Sequence, residues 1–200
     1  MALRYATIRC VMREVRLQDK PDALLAASPK GTVPVLLLPE QTLDESMAIV
    51  KWALAQNDPQ GWCSEEPEVR VQMDQMIEDC EHRFKPHLDA YKYAPRSQGL
   101  NLQARDDALW FLRRLEQRLN SFAPRAYLFG NQLSLADVCI FPFVRQFAFV
   151  DKLWFDQCGY PALQQWLQMM LDSCLFNEVM KKYPQWQLGD PDQPFSREST

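Results

Sequence analysis

The sequence predicts a small α/β domain followed by an all-helical domain. Segments rich in β-branched residues alternate with short helical segments over the first sixty residues, and a stretch dense in turn-forming residues follows. After that stretch, apolar residues recur at every third or fourth position, as they do in amphipathic helices. The predicted boundaries are 1–57 for the α/β domain, 58–67 for a linker, 68–188 for the helical domain and 189–200 for a loose polar tail.

The composition is that of a globular protein and excludes several function classes. The chain has 200 residues, of which 47% are hydrophobic and 24% charged, with a formal net charge of -4. No apolar run approaches the ~20 residues that a membrane-spanning helix needs. The negative net charge argues against general binding to nucleic acid or to anionic membranes. We therefore expect a cytoplasmic protein without nucleic-acid or membrane partners.

The α/β domain begins with alternating elements. Residues 8–17 are rich in β-formers and predict a strand, after which Pro21 opens a short helix. The continuous apolar run at 32–38 predicts a buried strand. The remaining predicted elements are a return strand at 42–43 and a helix from Asp44 to about Gln56.

The helical domain shows long apolar periodicities. One helix is predicted over 69–91, with a kink at Pro86, and a second over 102–119. Ser134 stands three residues before Asp137, a variant of the capping box, and predicts the start of a very apolar helix. Two further helices are predicted, at 161–171 and at 176–181.

The cysteines and histidines do not predict a metal site. The six cysteines are widely spaced and form no C-x-x-C motif, so we expect reduced, mostly buried thiols. His82 and His87 are five residues apart and would point away from each other on a helix, whereas a zinc pair needs a spacing of three or four.

Pro34 lies inside the apolar run of the second predicted strand, where proline cannot donate a ladder hydrogen bond. One explanation is a cis peptide bond between Val33 and Pro34 that turns the backbone of Val33 towards a ligand. The other is an edge strand, which tolerates proline. The sequence leaves both explanations open.

The Glu45-Ser46 pair predicts a binding site for an amino-acid head group. The amides at a helix N-terminus, together with a serine hydroxyl, suit a carboxylate. An acidic side chain beside them suits an ammonium group. A ligand with both charges would satisfy both residues.

In combination, these motifs resemble the glutathione S-transferase family. The resemblance rests on Lys20-Pro21, S-P-K-G-T-V-P-V-L and D-E-S-M-A-I in the first part, and on Y-L-F-G-N-Q-L-S-L-A-D and Y-P-A-L-Q-Q-W-L in the second. The cysteine-type and omega-like classes are the most similar, because Lys20 precedes Val33 by thirteen residues. The resemblance implies a thioredoxin-like N-terminal domain and a helical-bundle C-terminal domain.

The resemblance also implies a ligand and residue roles. Glutathione would be the co-substrate: Glu45 and Ser46 would bind its γ-glutamyl ammonium and carboxylate, the Val33 backbone its cysteinyl part and Lys20 its glycyl carboxylate. Lys20 as a solvated lysine before a helix, and Ser46 as a helix cap, remain alternatives. The implied activity is thiol transfer to, or reduction of, an electrophile. A homodimer is possible.

One part of the family pattern is not seen. Residues 1–6 resemble the last turns of the family's first helix, so its first strand and catalytic loop would lie before Met1, and we expect the natural start to be upstream. Repacking of the remaining elements, or a strand supplied by another chain, are the alternatives. Cys10 lies in a strand and Tyr5 at the wrong end of the helix, so no catalytic nucleophile is assigned. A non-catalytic interaction module with this fold is the competing function.

Overall fold

The chain divides into two compact units in the computed structural model, which describes residues 1–95, 97, 99–122 and 127–195. The first unit combines residues 1–60 with the described residues from 174 onwards. The second unit is continuous and spans residues 61–173. The predicted order, α/β followed by helical, is therefore present, but the last segment packs with the N-terminal unit instead of extending the helical domain to residue 188.

The N-terminal unit consists of short helices and two small antiparallel sheets. In β1 and β4, Val11 lies opposite Pro194, and in β2 and β3, Leu36 lies opposite Leu43. The elements are α1 (Ala2–Tyr5), β1 (Val11–Met12), α2 (Asp22–Ala27), β2 (Leu36–Leu37), β3 (Thr42–Leu43), α3 (Ser46–Gln56), α10 (Cys174–Val179) and β4 (Gln193–Pro194).

Both long strand predictions are wrong in extent. Of the predicted strand at 8–17 only Val11–Met12 forms a ladder, and of the run at 32–38 only Leu36–Leu37 does. A strand extends only as far as a partner supplies hydrogen bonds, and each of these segments has a partner of two residues among the described part of the chain. The start of the 32–38 run also contains Pro34, which has no N–H to donate.

The C-terminal segment is tied to the first strand, so the prediction of a loose tail from residue 189 is wrong for its described part. Besides the β1–β4 pairing, the Trp186 amide donates to the Glu14 carbonyl and the Phe195 amide donates to the Cys10 carbonyl, each at 2.8 Å. Residues 196–200 of the predicted tail lie outside the described residues. The partner of β1 among the described residues is therefore a segment close to the C-terminal end of this same chain.

Two arginines of the N-terminal unit reinforce this attachment. The guanidinium of Arg4 lies 4.8 Å from the ring centroid of Phe195, and that of Arg13 lies 4.5 Å from the ring of Trp186. Cation–π contacts of this kind are weak at exposed positions and stronger where water is excluded. They hold Phe195 against α1 and Trp186 against the residue that follows β1.

The helical unit is built around an apolar core. Its largest fully buried side chains include Trp62, Phe111, Phe147 and Trp166. Its elements are α4 (Pro67–Asp79), a π-helical segment (Cys80–Phe84), α5 (Lys85–Lys92), α6 (Leu102–Asn120), α7 (Leu135–Ala148), α8 (Lys152–Gln157) and α9 (Pro161–Asp172). The helices predicted at 102–119 and 161–171 are confirmed to within one residue, whereas the short helix predicted at 176–181 begins two residues earlier, as α10.

Pro86 does not interrupt the first long helix of this unit. The helix predicted over 69–91 is continuous through α4, the π-helical segment and α5, and Pro86 lies in the first turn of α5. A proline lacks an N–H and its ring clashes with a carbonyl one α-helical turn earlier. The wider π-helical turn at Cys80–Phe84 accommodates the proline without ending the helix.

The start of α7 contains the capping box that the sequence predicted. The Ser134 hydroxyl oxygen accepts from the Asp137 amide at 3.4 Å, and Asp137 accepts from the Ser134 amide at 3.0 Å. The other oxygen of Asp137 accepts from the Leu128 amide at 2.9 Å and from the Trp166 indole at 2.8 Å. Asp137 therefore connects three parts of the helical unit.

None of the helices in the described part of the chain is long and apolar enough to cross a membrane.

Candidate functional site

The candidate site lies in the N-terminal unit, around a loop that we call the proline loop (residues 28–34). The loop follows α2, and the hydrogen bond from the Gly31 amide to the Ser28 carbonyl, 2.9 Å long, closes its first turn. Gly31 has a φ of 57°, a left-handed conformation that suits glycine. The next residues bring the loop to Val33 and Pro34.

The peptide bond between Val33 and Pro34 is cis, one of the two explanations that the sequence left open. Val33 is an exposed apolar residue, with 45% of its surface accessible. β2 begins only at Leu36, so Val33 precedes the ladder. This arrangement is compatible with pairing of the Val33 backbone to an extended peptide ligand.

The N-terminus of α3 presents the second part of the candidate site. Glu45 is the residue before the helix, with φ -117° and ψ 132°, and Ser46 is its first helical residue. The predicted start at Asp44 is thus two residues early, because Asp44 and Glu45 are not yet helical. Among the described residues no side chain caps this helix end, and both Glu45 and Ser46 are exposed. Amides of an uncapped first turn attract anions.

Lys30, which the sequence analysis did not single out, joins the proline loop to this helix end. Its ammonium donates to Glu45 Oε1 at 2.7 Å and lies 3.2 Å from Asp44 Oδ2. The Ser28 hydroxyl donates to the same Asp44 oxygen at 3.2 Å. The hydrogen bond from Lys30 is the main cause that lowers the pKa of the Asp44 carboxyl. Periodicity carries no signal for this contact, because the partners are fifteen residues apart in irregular segments.

Lys20 also lies against the proline loop. A Cβ atom placed on Gly31 would lie 3.2 Å from the Lys20 ammonium and 3.0 Å from a methyl carbon of Leu25. A side chain at position 31 would therefore push against Lys20. Lys20, Lys30 and Val33 thus lie on or against one loop, and Lys30 links that loop to Glu45.

Neither the Cys10 thiol nor the Tyr5 hydroxyl, the two groups considered in the sequence, is arranged as a catalytic group. The Tyr5 hydroxyl donates to Asp58 Oδ1 at 2.6 Å and accepts from the Gln60 amide at 2.7 Å, so it serves the local packing of α1. Burial raises the pKa of the Cys10 thiol, and the charge of Arg4 offsets this only in part. A reactive cysteine needs a lowered pKa.

The remaining predicted structural residues lie outside this site. Ser134 and Asp137 belong to the helical unit, where they form the start of α7. Pro34 lies in the proline loop itself. The candidate binding residues are therefore Lys20, Val33, Glu45 and Ser46, as the sequence proposed, with Lys30 as an addition.

Several solved structures share this fold. Glutathione S-transferase 1-6 from Anopheles dirus species B is 18% identical, with a TM-score of 0.73 over 88% of this chain and 84% of that chain. A glutathione transferase from Methylococcus capsulatus is 20% identical, with a TM-score of 0.74 over 90% of this chain and 89% of that chain. Glutathione S-transferase-I bound with the ligand lactoylglutathione is 24% identical, with a TM-score of 0.60 over 78% and 77%. No curated protein matches the chain in sequence.

Two family models match the sequence itself. Residues 1–62 match the model described as glutathione S-transferase, N-terminal domain, and residues 96–168 match glutathione S-transferase, C-terminal domain. The first confirms a thioredoxin-like N-terminal domain with small sheets, and the second confirms a helical C-terminal domain. Because the two models together match more than half of the chain, this protein belongs to the glutathione S-transferase family.

Proposed function

We propose that this chain binds glutathione at the proline loop and the N-terminus of α3. The observation that carries the proposal is the exposed Glu45-Ser46 pair at an uncapped helix end, beside a loop that exposes Val33 before its cis proline. A structural neighbour bound with lactoylglutathione supports the choice of ligand class. The family match supports it independently.

In this proposal each end of the tripeptide has a partner of opposite charge or complementary hydrogen bonding. The α3 amides and the Ser46 hydroxyl bind the γ-glutamyl carboxylate, and Glu45 binds the ammonium beside it. The Val33 backbone pairs with the cysteinyl part. Lys20, an exposed lysine against the same loop, binds the glycyl carboxylate. The spacing of Lys20 and Val33 supports a cysteine-type or omega-like class.

The proposed reaction is transfer of the glutathione thiol to an electrophile, or reduction of an electrophile by glutathione. The protein is proposed to work as a homodimer. A thiolate attacks the electrophile, and glutathione's thiol is only a few per cent ionised at neutral pH if its pKa is near 8.5. The contacts described above hold the two ends of the ligand and not its sulfur. These contacts bind the ground state and the transition state equally well, so they increase the affinity for glutathione and not the rate of the chemical step.

The alternative is a protein of this fold that binds glutathione without turning it over. The specific observation in its favour is that the Tyr5 hydroxyl is engaged with Asp58 and Gln60 and that the pKa of Cys10 is raised. Turnover of a model electrophile such as 1-chloro-2,4-dinitrobenzene separates the two functions. A rate above the uncatalysed one favours the transferase, and binding without turnover favours the alternative.

Calorimetric titration with glutathione tests the binding proposal. We expect measurable binding by the wild type, and loss of most of it in Glu45→Ala, because the ammonium loses its carboxylate partner. Glu40→Ala is the matched control, since Glu40 is an exposed glutamate of the same unit in the turn between β2 and β3. No heat of binding at millimolar glutathione, or equal binding by both variants, would show that the proposal is wrong.

A further inference from the structure

The ammonium group of Lys30 occupies the side of Glu45 to which the ammonium of the proposed ligand would bind. Lys30 Nζ donates to Glu45 Oε1 at 2.7 Å and lies 3.2 Å from Asp44 Oδ2. Glu45 is the residue assigned above to the γ-glutamyl ammonium. Without a ligand, the candidate ammonium site is therefore already neutralised in part.

Lys30 is charged and loosely held in this position. The hydrogen bond from Lys30 to Glu45 is the main cause that raises its pKa, followed by the one to Asp44, so it stays protonated at neutral pH. About half of its side chain is exposed, as is more than half of that of Glu45. Exposed ion pairs of this kind are weak because water and salt screen them. A ligand can therefore replace Lys30 without a large penalty.

A simple amine and an amino-acid head group differ in what they gain by replacing Lys30. An amine exchanges one ammonium for another at Glu45, with no net gain in ion pairing. A head group with both charges also places its carboxylate at the uncapped first turn of α3, beside Ser46. Only the second ligand adds an interaction that Lys30 cannot make.

We propose that Lys30 is an internal competitor for the ammonium site at Glu45, lowering affinity for glutathione and leaving ligands that carry an ammonium alone without a net gain. This inference rests on the proposed function, because it assigns Glu45 to the ammonium of the ligand. It makes Lys30 a specificity-determining residue that acts through Glu45. It also predicts that loss of this lysine improves binding.

Calorimetric titration of four proteins with two ligands tests the inference. The proteins are the wild type, Lys30→Gln, Lys30→Arg and Lys51→Gln, and the ligands are glutathione and its analogue without the amino group, glutaryl-cysteinyl-glycine. We expect Lys30→Gln to bind glutathione about threefold more tightly, the scale of one exposed ion pair. Lys30→Arg keeps the cation and should bind like the wild type.

The second ligand and the Lys51 control separate competition from a general change of charge. Lys51 is an exposed lysine on α3, so Lys51→Gln removes the same charge from the same unit without touching Asp44 or Glu45. The analogue has no ammonium to compete with Lys30, so Lys30→Gln should not bind it more tightly. A structural role for Lys30 would change binding of both ligands in the same direction.

Each other result overturns the inference. Unchanged or weaker glutathione binding in Lys30→Gln, equal tightening of both ligands, or the same tightening in Lys51→Gln would each show that Lys30 does not compete. If none of the four proteins binds glutathione, the proposed function itself is wrong, and the inference with it.

Discussion

One carboxylate of the helical unit and one of the N-terminal unit lie in opposite environments. In the helical unit, Asp137 is fully buried and its oxygens accept hydrogen bonds from three other residues. In the N-terminal unit, Glu45 and Lys30 form their ion pair at the surface. A buried, fully paired carboxylate stabilises a fold and is inaccessible to a ligand, whereas an exposed one contributes little stability and remains exchangeable. Asp137 therefore belongs to the packing of the helical unit, whereas Glu45 stays accessible at the candidate site.

Loss of the buried carboxylate gives the largest expected effect. Asp137→Ala leaves the amides of Leu128 and Ser134 and the indole of Trp166 without their acceptor, so we expect a loss of about 3–5 kcal/mol in the free energy of unfolding. Urea denaturation followed by circular dichroism measures it.

Ser134→Ala is the matched control for this prediction. It keeps the carboxylate and removes the hydroxyl that accepts from the Asp137 amide and donates to an Asp137 carboxylate oxygen at 2.6 Å, and loss of such a cap costs about 1 kcal/mol. If Asp137→Ala destabilised the protein no more than Ser134→Ala, the buried carboxylate would not be the central support of the helical unit.

Removal of the C-terminal attachment should affect the N-terminal unit alone. A chain shortened after Tyr183 loses the backbone hydrogen bonds of Trp186 and Phe195 and both cation–π contacts, together about 2–4 kcal/mol. Hydrogen exchange resolves the two units: we expect faster exchange at residues 10–14 and unchanged exchange in α6 and α7. A chain shortened after Phe195 is the control, because it keeps these hydrogen bonds and cation–π contacts. Faster exchange in both units would contradict this division.

The extent of the strands and the C-terminal attachment could not be predicted from local sequence patterns. Residues 10–14 find their partner near residue 190, and no local pattern in Trp186 or Phe195 indicates that pairing. The strand at 8–17 was predicted from β-propensity, but the extent of a strand depends on the length of its partner. Helices were predicted more closely because their hydrogen bonds are local, and capping residues such as Ser134 mark their ends.

The candidate site was predictable in part for the same reason. Glu45 and Ser46 stand at a helix start, and Pro34 interrupts an apolar run, so each carries a local signal. The contact of Lys30 with Glu45 has none, because it depends on how the proline loop folds back on α3. A charged residue in a turn is most often solvated, and only the folded structure distinguishes it from one that pairs with a distant side chain, as Lys30 does with Glu45.

The pH dependence of stability gives a smaller effect in the helical unit. Burial raises the pKa of Asp79, but its hydrogen bonds to Arg114 and Arg83 outweigh burial and hold that pKa below its usual value. A carboxyl with a lowered folded pKa stabilises the fold above its unfolded pKa, near 3.9, and this contribution is lost as pH falls through the folded value. We expect at most about 1 kcal/mol, since both arginines are partly exposed.

Asp79→Asn is the variant that tests this effect. Its urea midpoint should fall less steeply than that of the wild type as pH is lowered from 5 to about 2. Parallel curves for the two proteins would mean that the pKa of Asp79 is not lowered in the folded state.

The smallest expected change is in the stability of a binding-site variant. Glu45→Ala removes an exposed ion pair, so we expect its denaturation midpoint in the absence of ligand to match that of the wild type. Glutathione should then stabilise the wild type and not the variant, by mass action on the folded state. A large loss of stability without ligand would show that Glu45 supports the fold as well as the site, and would weaken the contrast between the units.

The π-helical segment at Cys80–Phe84 has a consequence for the rotational phase of the long helix. Each residue of an α-helix advances the chain by about 100°, and a turn that takes in one more residue delays everything after it by about a quarter turn. Met73 and Tyr91 are five whole α-helical turns apart and would share one face of a regular helix. The delay instead lets α4 pack against α7, while α5 packs against both α6 and α7. If the same residues formed a regular α-helix, the buried side chains of Leu88 and Tyr91 would be rotated by about 100° relative to α4, whereas deleting one residue here would remove the wide turn and keep their present phase.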